Sequence, residues 1–192
     1  MTTRVIREES SDTTRERILK AAMLRFSTHS YEETGLRAIA SDAGVDMAYV
    51  HRSFGSKEKL FYASVKASIQ PELNFDRSAD DLLAGLAKDV LINRRENEVR
   101  PLDIIIRSFS SPEASCVIKE ILSNDFVAPL VCSYEGASPR SATLVAALLL
   151  GVGVLRDVVH ADALADDGAT ILEHELVRLI ASILDNGVRQ NE

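Results

Sequence analysis

Residues 36–60, LRAIASDAGVDMAYVHRSFGSKEKL, constrain the fold more than any other stretch of the chain. Leu36, Ile39, Ala40 and Ala43 fall at helical spacing and form one apolar face. Gly44 stands where such a helix stops, because glycine takes the left-handed cap conformation without steric cost. Val45 places an apolar side chain in the turn. Asp46 predicts the cap of a second helix, its carboxylate accepting a backbone N–H two or three residues on. In that helix Val50 and Phe54 are four apart and share a face. Met47, Ala48, Tyr49, Arg52 and Ser53 are left pointing elsewhere. Gly55-Ser56 then ends the second helix and caps a third. This is the helix-turn-helix pattern, although a helical hairpin in any all-α domain has the same spacing.

The wider context is more specific. Residues 13–61 carry Thr14-Arg15-Glu16-Arg17-Ile18-Leu19, Ala21-Ala22, Phe26, Tyr31 and Thr34. They continue with Arg37-Ala38-Ile39-Ala40, Ala43-Gly44-Val45, Phe54, Ser56-Lys57-Glu58 and Leu60. In this order and spacing they resemble the N-terminal domain of the tetracycline-repressor (TetR) family of bacterial transcription regulators. Three departures stand out. Ser30 replaces a usual glycine, and Gly35 replaces a frequent capping Ser or Thr. The second helix reads DMAYVHRSF where SKGTLYHHF is typical, so His51 replaces a tyrosine.

The remainder of the chain agrees with an all-α protein. It has 192 residues, 46% of them apolar, with nine glycines and five prolines, too few for an all-β or disordered chain. The net charge of −7 is unevenly spread. Residues 1–68 carry +2 and residues 69–192 carry −9, a mildly basic end on an acidic body. Cys116 and Cys132 lack metal-ligand spacing and are expected as free buried thiols. Residues 1–11 are polar, without the apolar core of a signal peptide, and predict a mobile arm. The longest apolar run, residues 144–155, is short for a bilayer. The expected location is the cytoplasm, with no membrane partner.

Taken in order, the periodicity predicts a helix from a Thr13–Glu16 capping box, with Ile18, Leu19, Ala22, Met23 and Phe26 inside. Helices follow at 36–42, 47–54 and 56–69. Pro71 opens a linker over 70–78. Residues 80–94 predict a helix with Leu82, Leu83, Leu86, Ala87, Val90 and Leu91 inward, closed by a charged turn at 94–98. Helices are expected at 102–109 and from Pro112 to about 124, then an irregular one over 126–134, where Pro129 interrupts. Residues 139–159 form the most apolar helix. An acidic loop at 162–167 precedes a last helix from about 170, stopped at Asn186-Gly187. The expected division is an arm at 1–11, a helix-turn-helix domain at 12–69, and a helical regulatory and dimerisation domain at 70–192.

Position by position, the resemblance implies that Met47, Ala48 and Tyr49, with Arg37 nearby, read base edges of double-stranded DNA. Thr34, His51, Arg52 and Lys57 match positions that hold the DNA backbone. The residue chemistry agrees, since arginine pairs with guanine and Met or Ala packs a thymine methyl. Lys57 adds its own signal, because a cation in the first turn of a helix opposes the dipole yet suits a phosphate. The resemblance also implies a small-molecule effector in the C-terminal half. Candidates there are Phe61, Ile105, Phe109, Ile118, Leu122 and Phe126, with Arg107, Cys116 and His160 as polar partners.

A helix apolar on nearly all sides must be covered on nearly all sides. A second copy of the chain is therefore expected over Leu144, Leu148, Gly151, Leu155, Leu172, Leu176, Leu179, Ile180 and Ile183. The family's dimerisation through its last two long helices implies the same.

Enzyme signatures are missing: Gly151-x-Gly153 is no phosphate loop, His174-Glu175 lacks a second histidine, and no GxSxG occurs. No cofactor or metal is expected. The sequence thus points to a homodimeric repressor that binds a near-palindromic operator and is released by a small ligand. Two alternatives are a helical dimer that serves as an interaction module without DNA, and an enzyme that uses the C-terminal cavity.

Overall fold

The structure, a computed structural model, describes residues 12–69, 75, 78–91, 99–165 and 169–185. The expected N-terminal arm, nearly all of the linker, the charged turn at 94–98, residues 166–168 and the Asn186-Gly187 stop lie outside them. Among the described residues there are helices and no strand.

Four helices come first: α1 Thr14–Thr28, α2 Leu36–Asp42, α3 Met47–Phe54 and α4 Lys57–Ser68. The Thr13–Glu16 capping box forms as expected, with the Glu16 carboxylate accepting from the Thr13 N–H at 2.7 Å. Then follow α5 Ala79–Leu91, α6 Pro101–Ser108 and α7 Pro112–Ile121. The helix continues in a wider π-type turn at Leu122–Val127 and returns to α geometry as α8 Ala128–Ser133. The long helices α9 Pro139–Asp157 and α10 Ala169–Asp185 close the chain.

The irregularity expected at Pro129 sits just ahead of it. Proline has no N–H to offer the carbonyl four residues back, and its ring collides with that carbonyl in a regular helix. Widening the preceding turn removes the conflict, and the Ala128 N–H instead reaches back five residues to Ser123 O. The same widening places Asp125 toward α4.

Two apolar cores organise the helices. The first gathers Ile18, Ala22 and Phe26 of α1, Ile39 and Ala40 of α2, Val50 and Phe54 of α3, and Leu60, Phe61 and Val65 of α4. Phe26 and Tyr31 both meet the Phe61 ring edge-on, at 5.0 and 5.1 Å between centroids. Ile104 of α6 and Ala114, Val117 and Ile121 of α7 belong to this same core, which therefore extends past residue 69. The second core joins Leu82, Leu83, Leu86 and Ala87 of α5, Leu130 of α8, Ala142 and Val145 of α9, and Leu176, Ile180 and Leu184 of α10.

This arrangement corrects several expectations. Leu176 and Ile180 were expected against a partner, but they are buried within their own subunit, because α10 turns that stripe onto α5. Leu148, Leu172 and Ile183 are half-buried at the margin of the same core. Leu144, Leu155 and Leu179 are exposed, and a side chain added at Gly151 would meet open space. Gly153 is the glycine that allows close approach: a Cβ there would lie 2.8 Å from Leu102 Cδ2. Both cysteines are free and exposed rather than buried, since neither lies on the inward face of its helix.

By length and composition α9 is the one helix among the described residues that could cross a membrane. Only 22% of its apolar window is buried within the subunit.

Candidate nucleic-acid interface and cavity

The α2–α3 turn is fixed by local chemistry and by α1. Gly44 has φ +64°, and the next N–H, of Val45, donates to Ala40 O at 2.9 Å. The Gly44 N–H donates to Ser41 O at 3.1 Å, which completes a Schellman cap. Arg17 reaches over from α1, and its Nη2 donates to Ala43 O at 2.8 Å. Arg25 holds the end of α2 by donating twice to the Asp42 carboxylate, at 2.5 and 3.0 Å. That bond to Arg25 lowers the Asp42 carboxyl below its ordinary value.

Asp46 caps α3, accepting from the Ala48 N–H at 2.7 Å. Val50 and Phe54 anchor that helix in the first core. Its other face presents Met47, Ala48, Tyr49, His51 and Arg52 to solvent, and Arg37 of α2 is exposed as well. The Arg52 guanidinium lies 5.3 Å from the Tyr49 ring centroid, and His51 Nδ1 donates to Gly55 O at 3.1 Å. A short helix held rigidly by its inner face thus carries aromatic, apolar and cationic groups outward.

Two of the singled-out residues sit elsewhere. Thr34 is fully buried, and its hydroxyl donates to Ser30 O at 2.9 Å, closing the turn before α2 rather than facing outward. Lys57 is half-buried with Nζ 4.1 Å above the Tyr31 ring, and burial pulls its ammonium below the ordinary lysine value. Burial raises the Tyr31 hydroxyl above its own. Lys59, not singled out from the sequence, is exposed in the same first turn and lies against Gly55 at the α3–α4 junction. The signal that pointed to Lys57, a cation at a helix N-terminus, applies equally to Lys59.

A cavity of about 620 Å³ lies between α4, α5, α6, α7, the wide turn and α9. That is the size of a small-molecule site. Its walls are mainly apolar, and Ile105, Phe109, Ile118, Leu122 and Phe126 of the expected set line it. The other four do not. Phe61 is sealed in the first core, and Cys116 and His160 are exposed on the surface. Arg107 Nε donates to Ser27 O of α1 at 2.6 Å.

Charged groups that sequence periodicity did not reveal border the cavity. Asp125 accepts from Tyr62 Oη and from Lys66 Nζ, both at 2.7 Å. Burial pushes the Asp125 carboxyl up, but these two donors more than offset it and leave it below its ordinary value. Arg100, at the start of α6, pairs with Asp157 at the end of α9. Asp89 lines the cavity too and is not without an interaction of its own. Among the described residues no group of three His, Cys, Asp or Glu side chains is placed to hold a metal ion.

Comparison with known proteins agrees with this geometry. Residues 18–63 match the family model described as bacterial regulatory proteins, tetR family. Residues 80–186 match the tetracyclin repressor-like C-terminal domain. None of the curated proteins compared with the chain matches it. Among solved structures, one similar protein is NalD, the secondary repressor of the MexAB-OprM multidrug efflux pump in Pseudomonas aeruginosa. It is 25% identical with a TM-score of 0.61, and the match covers 88% of this chain and 97% of NalD. A TetR-family regulator from Streptomyces coelicolor A3 is 24% identical at TM-score 0.60, over 89% of this chain and 94% of that one. The multidrug binding protein EbrR, complexed with ethidium, is 20% identical at TM-score 0.58, over 87% and 98%.

Proposed function

This chain belongs to the TetR family of bacterial transcription regulators, and we propose that it is a homodimeric repressor that a small molecule releases from its operator. The observation that carries the reading is the outward face of α3. Met47, Ala48, Tyr49 and Arg52 are solvent-exposed on a helix whose other side is locked by Val50 and Phe54. Met47, Ala48 and Tyr49, with Arg37, read base edges in the major groove. His51, Arg52 and Lys59 hold phosphates, which orient without specifying sequence. Thr34 and Lys57 support the surface from behind.

The dimer is supported by what α9 and α10 leave uncovered. Leu144, Leu155, Ile171 and Leu179 are exposed apolar side chains on two long helices. Soluble monomers rarely leave such stripes bare. A two-fold partner over α9 and α10 covers them, with an interface on the order of 2,000 Å². Two-fold symmetry then sets the two α3 helices roughly 34–36 Å apart and makes the operator near-palindromic.

The effector occupies the apolar cavity, and EbrR, a multidrug binding protein of similar fold complexed with ethidium, supports a small-molecule ligand. The ligand favours one dimer state over another, changing DNA affinity by linkage. The reading assigns no catalytic reaction and places the protein in the cytoplasm with the DNA. The test is selection of duplexes from a random-sequence pool by the full chain, followed by binding at several salt concentrations. Palindromic winners with a steep salt dependence are expected. No enrichment would overturn the reading.

A further inference from the structure

Two internal ion pairs border the cavity, and they differ in how easily each can be opened. Arg100 and Asp157 are both enclosed, with side chains 14% and 15% exposed. Separating them would strand two buried charges. The other pair is asymmetric: Lys66 is 56% exposed and Asp125 only 18%. Lys66 can swing its ammonium into water with its hydration restored. Asp125 cannot follow, and a carboxylate left in an apolar wall needs another cation. Tyr62 Oη still donates to it but carries no charge.

We propose that this cavity takes an apolar cation, and that the cation replaces Lys66 on Asp125. The place that Lys66 Nζ now occupies suits such a guest. It is 2.7 Å from the carboxylate and 5.7 Å from the centroid of the Tyr62 ring, so charge and aromatic face both favour a positive group there. The surrounding walls, Val65, Ile69, Ile118 and Leu122, receive the apolar body. An anion has the poorer prospect, because Lys66 and Arg100 already pair with carboxylates and, among the described residues, the one donor left over there is the buried Arg100 Nε. A neutral guest gains the apolar contact and at most a hydrogen bond from Arg100 Nε, with no charge to set against Asp125.

The exchange also has a mechanical sense. Lys66 lies on α4, the helix that follows α3, and its bond to Asp125 ties α4 to the wide turn. A cation on Asp125 removes the charged half of that tie and leaves the Tyr62 hydroxyl, also on α4, as the remaining bond. The inference rests on the cavity being the effector site, and its test separates the two.

Calorimetry on the full chain with tetraphenylphosphonium, tetraphenylborate and triphenylphosphine oxide decides it, the first two having the same shape and opposite charge. The phosphonium is expected to bind at least tenfold more tightly than either of the others. Asp125→Asn should abolish that preference. Lys66→Met should tighten phosphonium binding severalfold relative to the oxide, because the competing ammonium is gone. That variant alters an exposed side chain and keeps the test independent of folding at Asp125. Equal binding of the borate or oxide, weaker phosphonium binding in Lys66→Met, or no binding by any probe would each overturn the proposal. If the oxide binds as well as the phosphonium and releases selected DNA, the effector-site reading stands and the cation is rejected. If the chain selects no DNA at all, the regulator reading falls, and calorimetry still decides the exchange at Asp125.

Discussion

Arg17 Nη2 on α1 donates to the Ala43 carbonyl of the α2–α3 turn at 2.8 Å. The turn's own cap satisfies its N–H groups, so this arginine serves the carbonyls left over at the end of α2. Arg17→Met should cost about 1–2 kcal/mol of stability, in the range of a charged donor's hydrogen bond. Because the turn sets the angle of α3, DNA affinity should fall across all sequences with the preference unchanged. Urea denaturation and binding to matched and mismatched duplexes check both halves.

The two lysines at the start of α4 should separate cleanly. Lys59→Ala should reduce the slope of log K against log salt by about 1 and weaken all duplexes alike. Lys57→Ala should leave that slope nearly unchanged and instead lower stability by about 0.5–2 kcal/mol, the range for a partly desolvated cation over an aromatic ring. Salt titrations of both variants provide the comparison, and a slope reduced by about 1 in Lys57→Ala would return it to the DNA surface.

Arg37→Ala and Tyr49→Ala should relax discrimination between the selected operator and single-base variants, by roughly 1–3 kcal/mol per lost base contact. Folding stability should barely change, since both side chains are exposed. Unaltered specificity in both would move base reading away from this face.

Charge placed on α9 and α10 should give two different outcomes. Leu144→Glu and Leu155→Glu lie on the bare stripe and should yield folded monomers in sedimentation, with DNA binding lost. Leu176→Glu and Ile180→Glu bury a charge in the subunit's own core and should cost several kcal/mol, enough to unfold it. Circular dichroism distinguishes the cases.

The Asp125 clasp predicts a pH dependence. Its carboxyl titrates below the ordinary value of 3.8 in the folded state. The folded state therefore binds that proton less readily than the unfolded chain. Its contribution is present above pH 3.8 and is lost as pH falls through the lower folded value. The Tm difference between wild type and Asp125→Asn should accordingly shrink on acidification below about pH 4. A constant difference would show that the clasp contributes no charge-dependent stability.

What was legible in the sequence was local. The Thr13–Glu16 box, the Gly44 turn, the Asp46 cap and the bounds of α2 and α3 follow from neighbours within four residues. What covers a face is a different matter. Leu176 and Leu179 look equivalent in periodicity, yet α5 buries the first and leaves the second bare. Thr34 resembled a surface residue because nothing near it in sequence shows that its side faces the core. The bond from Lys66 to Asp125 spans 59 positions and depends on the wide turn ahead of Pro129, so no spacing rule reveals it.

The sharing of one core by α1–α4 and by α6 and α7 has a consequence for how such a chain can be taken apart and recombined. A fragment ending at residue 69 would lack Ile104, Ala114, Val117 and Ile121, and would lay bare the apolar side they cover. The first four helices are therefore not a cassette to be grafted onto a foreign sensor by cutting at the linker. A working chimera has to carry the inward-facing residues of α6 and α7 with the head, which makes those two helices the true seam of the molecule.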